Sequence, residues 1–155
     1  MKKKACVLGV ILFITDLLSK IMVINFIKDK VTLIPNFLAF TKLSNDGAAF
    51  SILTGYRMFF IFFALAVIFY IYKYMLDKID NKFELVCYAF LLGGIAGNLF
   101  DRIFYGEVID FISFSIFGYM FPIFNLADTF IVIGAVMFVI ILIKGDKNEI
   151  SSKRK

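Results

Sequence analysis

The chain has 155 residues, of which 61% are hydrophobic, with 21 Phe, a mean hydropathy of +0.90 and a net charge of +5. A soluble domain of this length does not carry that much apolar surface. The absence of histidine removes Ser-His-Asp and Cys-His nucleophilic machinery, His-based zinc hydrolysis and His-ligated haem together.

Four apolar runs approach the ~20 residues that cross a bilayer as helix: about 5–26, 58–74, 85–104 and 124–143. The first starts like a secretory signal peptide, yet it lacks a small-residue cleavage site and carries Asp16 and Lys20, so a retained span is expected. Basic residues cluster at the ends of the runs: Lys2, Lys3 and Lys4; Lys73, Lys78 and Lys82; Lys144, Lys147, Lys153, Arg154 and Lys155. That distribution reads as membrane topology rather than a nucleic-acid face, with both termini and the 77–84 connector cytoplasmic and anionic lipid headgroups as sufficient partners. Lys28, Lys30, Lys42 and Arg57 fall on the other side, so the asymmetry is incomplete. Cys6 and Cys87 lie in separate apolar runs and read as unpaired thiols.

Two segments then face outward, about 27–57 and 105–123. The stretch VTLIPNFLAFTKL (31–43) has a Pro35-Asn36 turn and reads as short strands or an interfacial patch. The second, with Gly106 and Gly118, is expected along the membrane surface. Residues 144–155 read as a cytoplasmic tail, and the chain as a single membrane-embedded domain.

Ionisable groups inside such spans are costly and mark function by default. Asp16 and Lys20, at i,i+4, share one helix face; an internal ion pair competes here with a Ser19/Lys20 catalytic pair. GGIAGNLFDR (93–102) holds Gly93 and Gly97 at the spacing that admits a close helix neighbour, followed by Asn98, Asp101 and Arg102 as one polar stripe. For that stripe, interface anchoring and substrate contact by the Arg102 guanidinium stand side by side. NDGAAF (45–50) alone reads as a turn.

Asp110 lies in VIDF (108–111), and Asn125 and Asp128 lie in FPIFNLAD (121–128). A lone Asp at a helix start is often only a cap. If the chain folds back after Phe111, however, Asp110 and Asp128 face each other, and two carboxyls in low dielectric share a proton. One can then draw a proton from water while the other polarises a carbonyl, with neither metal nor cofactor.

Taken in order, Asp16 with Lys20, NDGAAF, GGIAGNLFDR, VIDF and FPIFNLAD resemble the lipoprotein signal peptidase (signal peptidase II) family over most of the chain. The resemblance implies an aspartyl endopeptidase of the bacterial cytoplasmic membrane, with four transmembrane helices and a small extracytoplasmic β-cradle. It implies removal of signal peptides from diacylglyceryl-modified prolipoproteins on the N-terminal side of the lipidated cysteine. By residue match it makes Asp110 and Asp128 catalytic. Asn45, Gly47, Asn98, Arg102 and Asn125 become pocket residues, while Asp16, Lys20 and Asp101 are structural polar groups, Asp101 with a role open between chemistry and holding Arg102. No metal or cofactor is implied. Asp46 departs from the family's usual neutral residue. Rival readings are a proton or ion transporter, a Ser/Lys peptidase and a structural membrane subunit; the transporter predicts acids strung across the bilayer rather than gathered near one side.

Overall fold

A computed structural model describes residues 1–47 and 52–152, with side chains in the last helix through Lys144. Ala48, Ala49 and Phe50 of the 45–50 motif lie outside the described residues, as do Lys153, Arg154, Lys155 and the side chain of Lys147.

The four apolar runs are helices: α1 (Lys2–Phe26), α2 (Arg57–Tyr70), α3 (Lys82–Phe104) and α4 (Leu126–Ser152). Among the described residues all four, α2 counted with its continuation to Lys78, are long and apolar enough to cross a membrane. A wide π-type turn over Ile71–Met75 and a tight 3₁₀ turn over Leu76–Lys78 extend α2. In α3 the helix start is fixed by Asn81, whose side-chain oxygen accepts from the Glu84 N–H (3.0 Å), while the Glu84 carboxylate takes the Asp80 N–H (3.0 Å) and the Asn81 amide (2.7 Å). This reciprocal capping satisfies donors that a helix start leaves open.

Both intervening segments contribute to one four-stranded antiparallel sheet in the order β1 (Val31–Ile34), β2 (Leu38–Asn45), β3 (Val108–Ile116) and β4 (Tyr119–Met120). The strands expected in 31–43 are present. The 105–123 segment is not simply a surface strip: it supplies β3, an inner strand paired with β2 from Leu38↔Phe114 to Asn45↔Val108. An irregularity between Phe40 and Leu43 re-aims β2 beside Asp110, as bulges near functional sites do. Beyond β4 the chain doubles back, and Ile112 and Phe124 exchange backbone hydrogen bonds of 2.7 and 3.2 Å. That bridge sets the start of α4 against β3.

Glycines let the helices close on one another. Gly9 of α1 meets the Ala89 carbonyl of α3, and a Cβ on Gly93 would come within 2.8 Å of the Gly9 carbonyl oxygen. The next position serves α4: a Cβ on Gly94 would stand 2.5 Å from the Ala127 oxygen and 2.8 Å from Ile131. Gly97 faces the Asp16 carboxylate, leaving room for that side chain. The G-x-x-x-G spacing thus has a packing role, and it also brings a buried acid into place. At the end of the bundle opposite the sheet, Lys2 pairs with Asp77 (3.0 Å).

Gly94→Ala pushes against α4 backbone, which cannot yield as a flexible side chain would. Overpacking of this kind costs about 1–3 kcal/mol. The variant is expected to melt earlier in detergent and, because Ala127 precedes Asp128, to lose activity beyond the loss of folded protein.

Candidate active site

The polar groups gather where the sheet meets the ends of α1, α3 and α4. Lys20 is 1% exposed, and its ammonium lies 2.7 Å from Asp16 Oδ2 and 2.7 Å from Asp101 Oδ2. The pair expected from i,i+4 spacing is therefore a triad linking α1 to α3. The Ser19/Lys20 reading does not survive: the Ser19 hydroxyl donates to the Asp16 carbonyl (2.6 Å), and the ammonium is held by two carboxylates.

Each acid of the triad holds one further backbone group. Asp16 Oδ1 accepts the N–H of Ala127 (2.9 Å), and Asp101 Oδ2 accepts the N–H of Ile109 (3.2 Å). Those amides immediately precede Asp128 and Asp110. Asp101 Oδ1 stays buried without a hydrogen-bond donor among the described residues. The cluster is thus not satisfied to the full, and buried ion pairs are in any case weak evidence for stability. What it supplies is position.

Lys20 also fixes the sense of the amides above it. An ammonium can only donate, so Asn98 turns its oxygen to Lys20 (3.2 Å) and its Nδ2 to Asp128 Oδ1 (2.7 Å). Asn125 is wholly buried and spans both acids. Its Nδ2 donates to Asp110 Oδ1 (2.7 Å), to Asn98 Oδ1 (3.1 Å) and to the Ile109 carbonyl (3.3 Å). Its Oδ1 accepts the Asp128 N–H (2.8 Å), while Asp128 Oδ2 accepts the Asn125 N–H (3.2 Å). Asp128 is therefore part of a helix cap, as a lone acid at that position often is. Its other oxygen is held by Asn98, and it remains only half-buried.

On the far side, Asn45 Nδ2 donates to Asp110 Oδ2 (2.9 Å), and Asn45 Oδ1 accepts the Gly47 N–H (3.0 Å). Arg102 Nη2 donates to the Gly47 carbonyl (2.7 Å), and its guanidinium lies over the Phe60 ring at 4.8 Å. Arg102 thus supports the Asn45–Gly47 turn from α3, and its buried Nε has no hydrogen-bond partner among the described residues. Asp46 is exposed. One contributor escaped the sequence reading: Arg57, whose Nε and Nη2 donate to the carbonyls of Arg102 (2.7 Å) and Ile103 (3.1 Å), closing the end of α3 from the start of α2.

Asp110 is 2% exposed, and its carboxyl is pushed up from 3.8 to about 6. Burial is the largest cause and the nearby Asp128 charge adds to it, while hydrogen bonds from Asn45 and Asn125 and the Lys20 charge work the other way. A buried carboxyl raised to about 6, linked through the Asn125 and Asn98 amides to a second, more open carboxyl, is suited to holding and releasing a proton beside it. No group of three or more His, Cys, Asp or Glu suited to holding a metal occurs among the described residues.

Removing Lys20 as Lys20→Met leaves two buried acids without a counter-ion, a loss of about 3–5 kcal/mol. A fall in melting temperature together with loss of activity is expected; Asn125→Ala, which leaves the triad in place, is expected to lose activity with a smaller thermal shift.

The family model for signal peptidase (SPase) II matches residues 8–144. Lipoprotein signal peptidases of Staphylococcus aureus strains JH9 and Newman are each 39% identical over 145 residues, covering 92% of this chain and 89% of theirs. A solved bacterial membrane enzyme, determined by the in meso method at 2.3 Å resolution, superposes with a TM-score of 0.81 at 37% identity, over 93% of this chain and 90% of its own. A second, at 1.9 Å, gives 0.78 at 36% identity over 90% and 92%.

Proposed function

Because the chain belongs to the signal peptidase II family of aspartic peptidases, we propose that Asp110 and Asp128 are its catalytic pair and that it cleaves diacylglyceryl-modified prolipoproteins before the lipidated cysteine. The single observation that carries the assignment is Asn125, whose side-chain Nδ2 donates to the Asp110 carboxyl while its Oδ1 accepts the Asp128 backbone N–H and its own N–H donates to the Asp128 carboxyl. Lipoprotein signal peptidase activity follows from membership; the residue roles and the chemistry are our reading.

In that reading a water lies between the two carboxyls and the scissile carbonyl carbon. Asp128, the more open acid, takes a proton from the water as its oxygen bonds to the carbon. Asp110 gives its proton to the carbonyl oxygen, so the tetrahedral species forms without a bare oxyanion. Collapse breaks the C–N bond: Asp128 gives its proton to the leaving amine, one hydroxyl of the tetrahedral species gives its proton to Asp110 as the new carboxyl forms, and the enzyme returns to a state with one proton on two acids. Asn98 and Asn125 aim amide hydrogens at the carboxylates throughout, with their orientation set by Lys20.

Topology follows the charge distribution. The basic end of the bundle, with Lys2, Lys78, Lys82 and Lys144, is cytoplasmic, which puts the sheet and the acid pair at the outer face of a bacterial cytoplasmic membrane. A substrate with two acyl chains reaches that depth laterally, its lipidated cysteine at headgroup height. Asn45, Gly47 and Arg102 then border the groove in which the substrate backbone lies.

Purified enzyme and a diacylglyceryl-modified prolipoprotein test the assignment directly. Asp110→Asn and Asp128→Asn are each expected to abolish cleavage while remaining folded, and full turnover by either one sinks the pairing. Chelators are expected to leave activity intact.

The pH dependence carries a sign. The pair is active with one proton aboard, so kcat/KM is expected to fall as pH rises through about 6 and beyond, where Asp110 ionises in the free enzyme. Stability moves the same way. A carboxyl raised in the folded state favours folding below its unfolded pKa, and that contribution is lost as pH climbs through the folded value. Asp110→Asn removes a penalty of at most about 3 kcal/mol at neutral pH, so its melting temperature is expected to exceed wild type at pH 7.5 and to match it at pH 3.5.

A further inference from the structure

The end of the sheet farthest from the acid pair carries both hairpin turns. Asn36 in the β1–β2 turn is brought alongside β3 by the hydrogen bond from the Ser115 N–H to the Phe37 carbonyl (2.8 Å). Beside it, Ile116 pairs with Tyr119 around a two-residue turn of Phe117 and Gly118. Both turn residues have left-handed backbone, with φ 50° at Phe117 and 81° at Gly118. Hairpin turns of this hand favour Asn, Asp or Gly at the first position, and an aromatic residue there is strained. Phe117 gains nothing from the protein in return, since its side chain is fully exposed (104%).

Its neighbours are exposed too: Tyr119 at 61%, Met120 at 62%, Ile34 at 49% and Phe37 at 41%. Residues 111–127 contain no charged side chain, nor do residues 31–41. A tip standing in water would hold this apolar patch against the hydrophobic effect. The spans supply the alternative. Phe26 and Phe104, at the sheet-side ends of α1 and α3, are exposed apolar residues that extend the lipid-facing surface of the helices toward the sheet. Phe and Tyr at the margin of such a surface fit the boundary between acyl chains and headgroups.

We propose that the β3–β4 hairpin tip, with the adjoining β1–β2 turn, is seated in the lipid leaflet on the sheet's side of the membrane. The occupant of the patch is lipid rather than a protein partner. The sheet is then held at two places, by the bundle around Asp110 and by the bilayer at Phe117, so that β3 lies along the membrane surface. This rests on the membrane spans alone and is independent of which substrate the acids cleave.

The chain contains no tryptophan, so a single substitution creates a unique fluorophore. Phe117→Trp, and separately Tyr119→Trp, are reconstituted into vesicles of phosphatidylcholine and phosphatidylglycerol. The expected result is blue-shifted emission, quenched at least twofold when the phosphatidylcholine is brominated on its acyl chains and little changed by iodide. Red-shifted emission quenched by iodide in both variants overturns the proposal, because the tip is then in water. Emission that neither agent quenches, accompanied by chemically crosslinked dimers, also overturns it and assigns the patch to a second copy. Both positions are exposed, so the variants are expected to melt with wild type in detergent, and that measurement confirms that the fluorescence reports the native fold.

Discussion

One buried ammonium organises the functional end of this molecule. Lys20 sits between Asp16 and Asp101, and each of those acids holds the backbone amide just ahead of an acid of the proposed pair. Four parts of the chain are thereby referred to one charge: α1, α3, the start of α4 and β3. Its cost in an apolar environment is high, and the helix contacts that shield it depend on glycines at Gly93, Gly94 and Gly97. The same charge also removes an ambiguity. Side-chain amides can flip end for end, but Asn98 next to an ammonium has one favourable sense, and that sense passes to Asn125.

The sheet contributes what the bundle lacks. Helices alone bring Asp128, Asn98 and the triad together, yet Asp110 arrives on a strand, and Asn45 arrives on the strand beside it. Burial by the sheet raises Asp110 while its two amide donors restrain the rise. The acid is left near neutrality by opposed effects, which suits a group that must both hold and release a proton.

Much of this was legible in the sequence, for identifiable reasons. The spans follow from hydropathy, and Asp16, Lys20, Asp101, Asp110 and Asp128 stand out because charge inside apolar runs is expensive. The pairing of the last two was conditional on the chain folding back after Phe111; the bridge from Ile112 to Phe124 that folds it back is a tertiary contact that no local pattern announces. Asp101 stood open between anchoring at the interface, chemistry and holding Arg102, because a helical stripe does not say which member turns inward. It turns to Lys20, while Arg102 reaches Gly47. β3 was missed as a strand although Ile112, Phe114 and Ile116 alternate with Ser113 and Ser115; only its first part, the uninterrupted buried run Val108 to Phe111, lacks the two-residue period that marks a half-covered strand. Arg57 looked like one more charge at the end of a span, since the carbonyls it closes belong to a helix some 45 residues away.

α2 differs from its neighbours. None of the residues from Arg57 to Tyr70 is buried; one end is tied to α3 through Arg57, and the other enters a small core where Ile71 and Leu76 join Ala5, Cys87 and Tyr88. Between those attachments one stripe, Phe60, Ile61, Ala64, Val67 and Ile68, is half-buried, with the Phe60 ring under Arg102 and Val67 against that core, while most of the other side chains are exposed on the lipid side. The exposed side chains of that stretch therefore need apolarity rather than a particular shape, whereas the half-buried stripe is constrained by what it touches. The three helices around Lys20 have no such licence, because their facing side chains and glycines must fit one another and the buried charge.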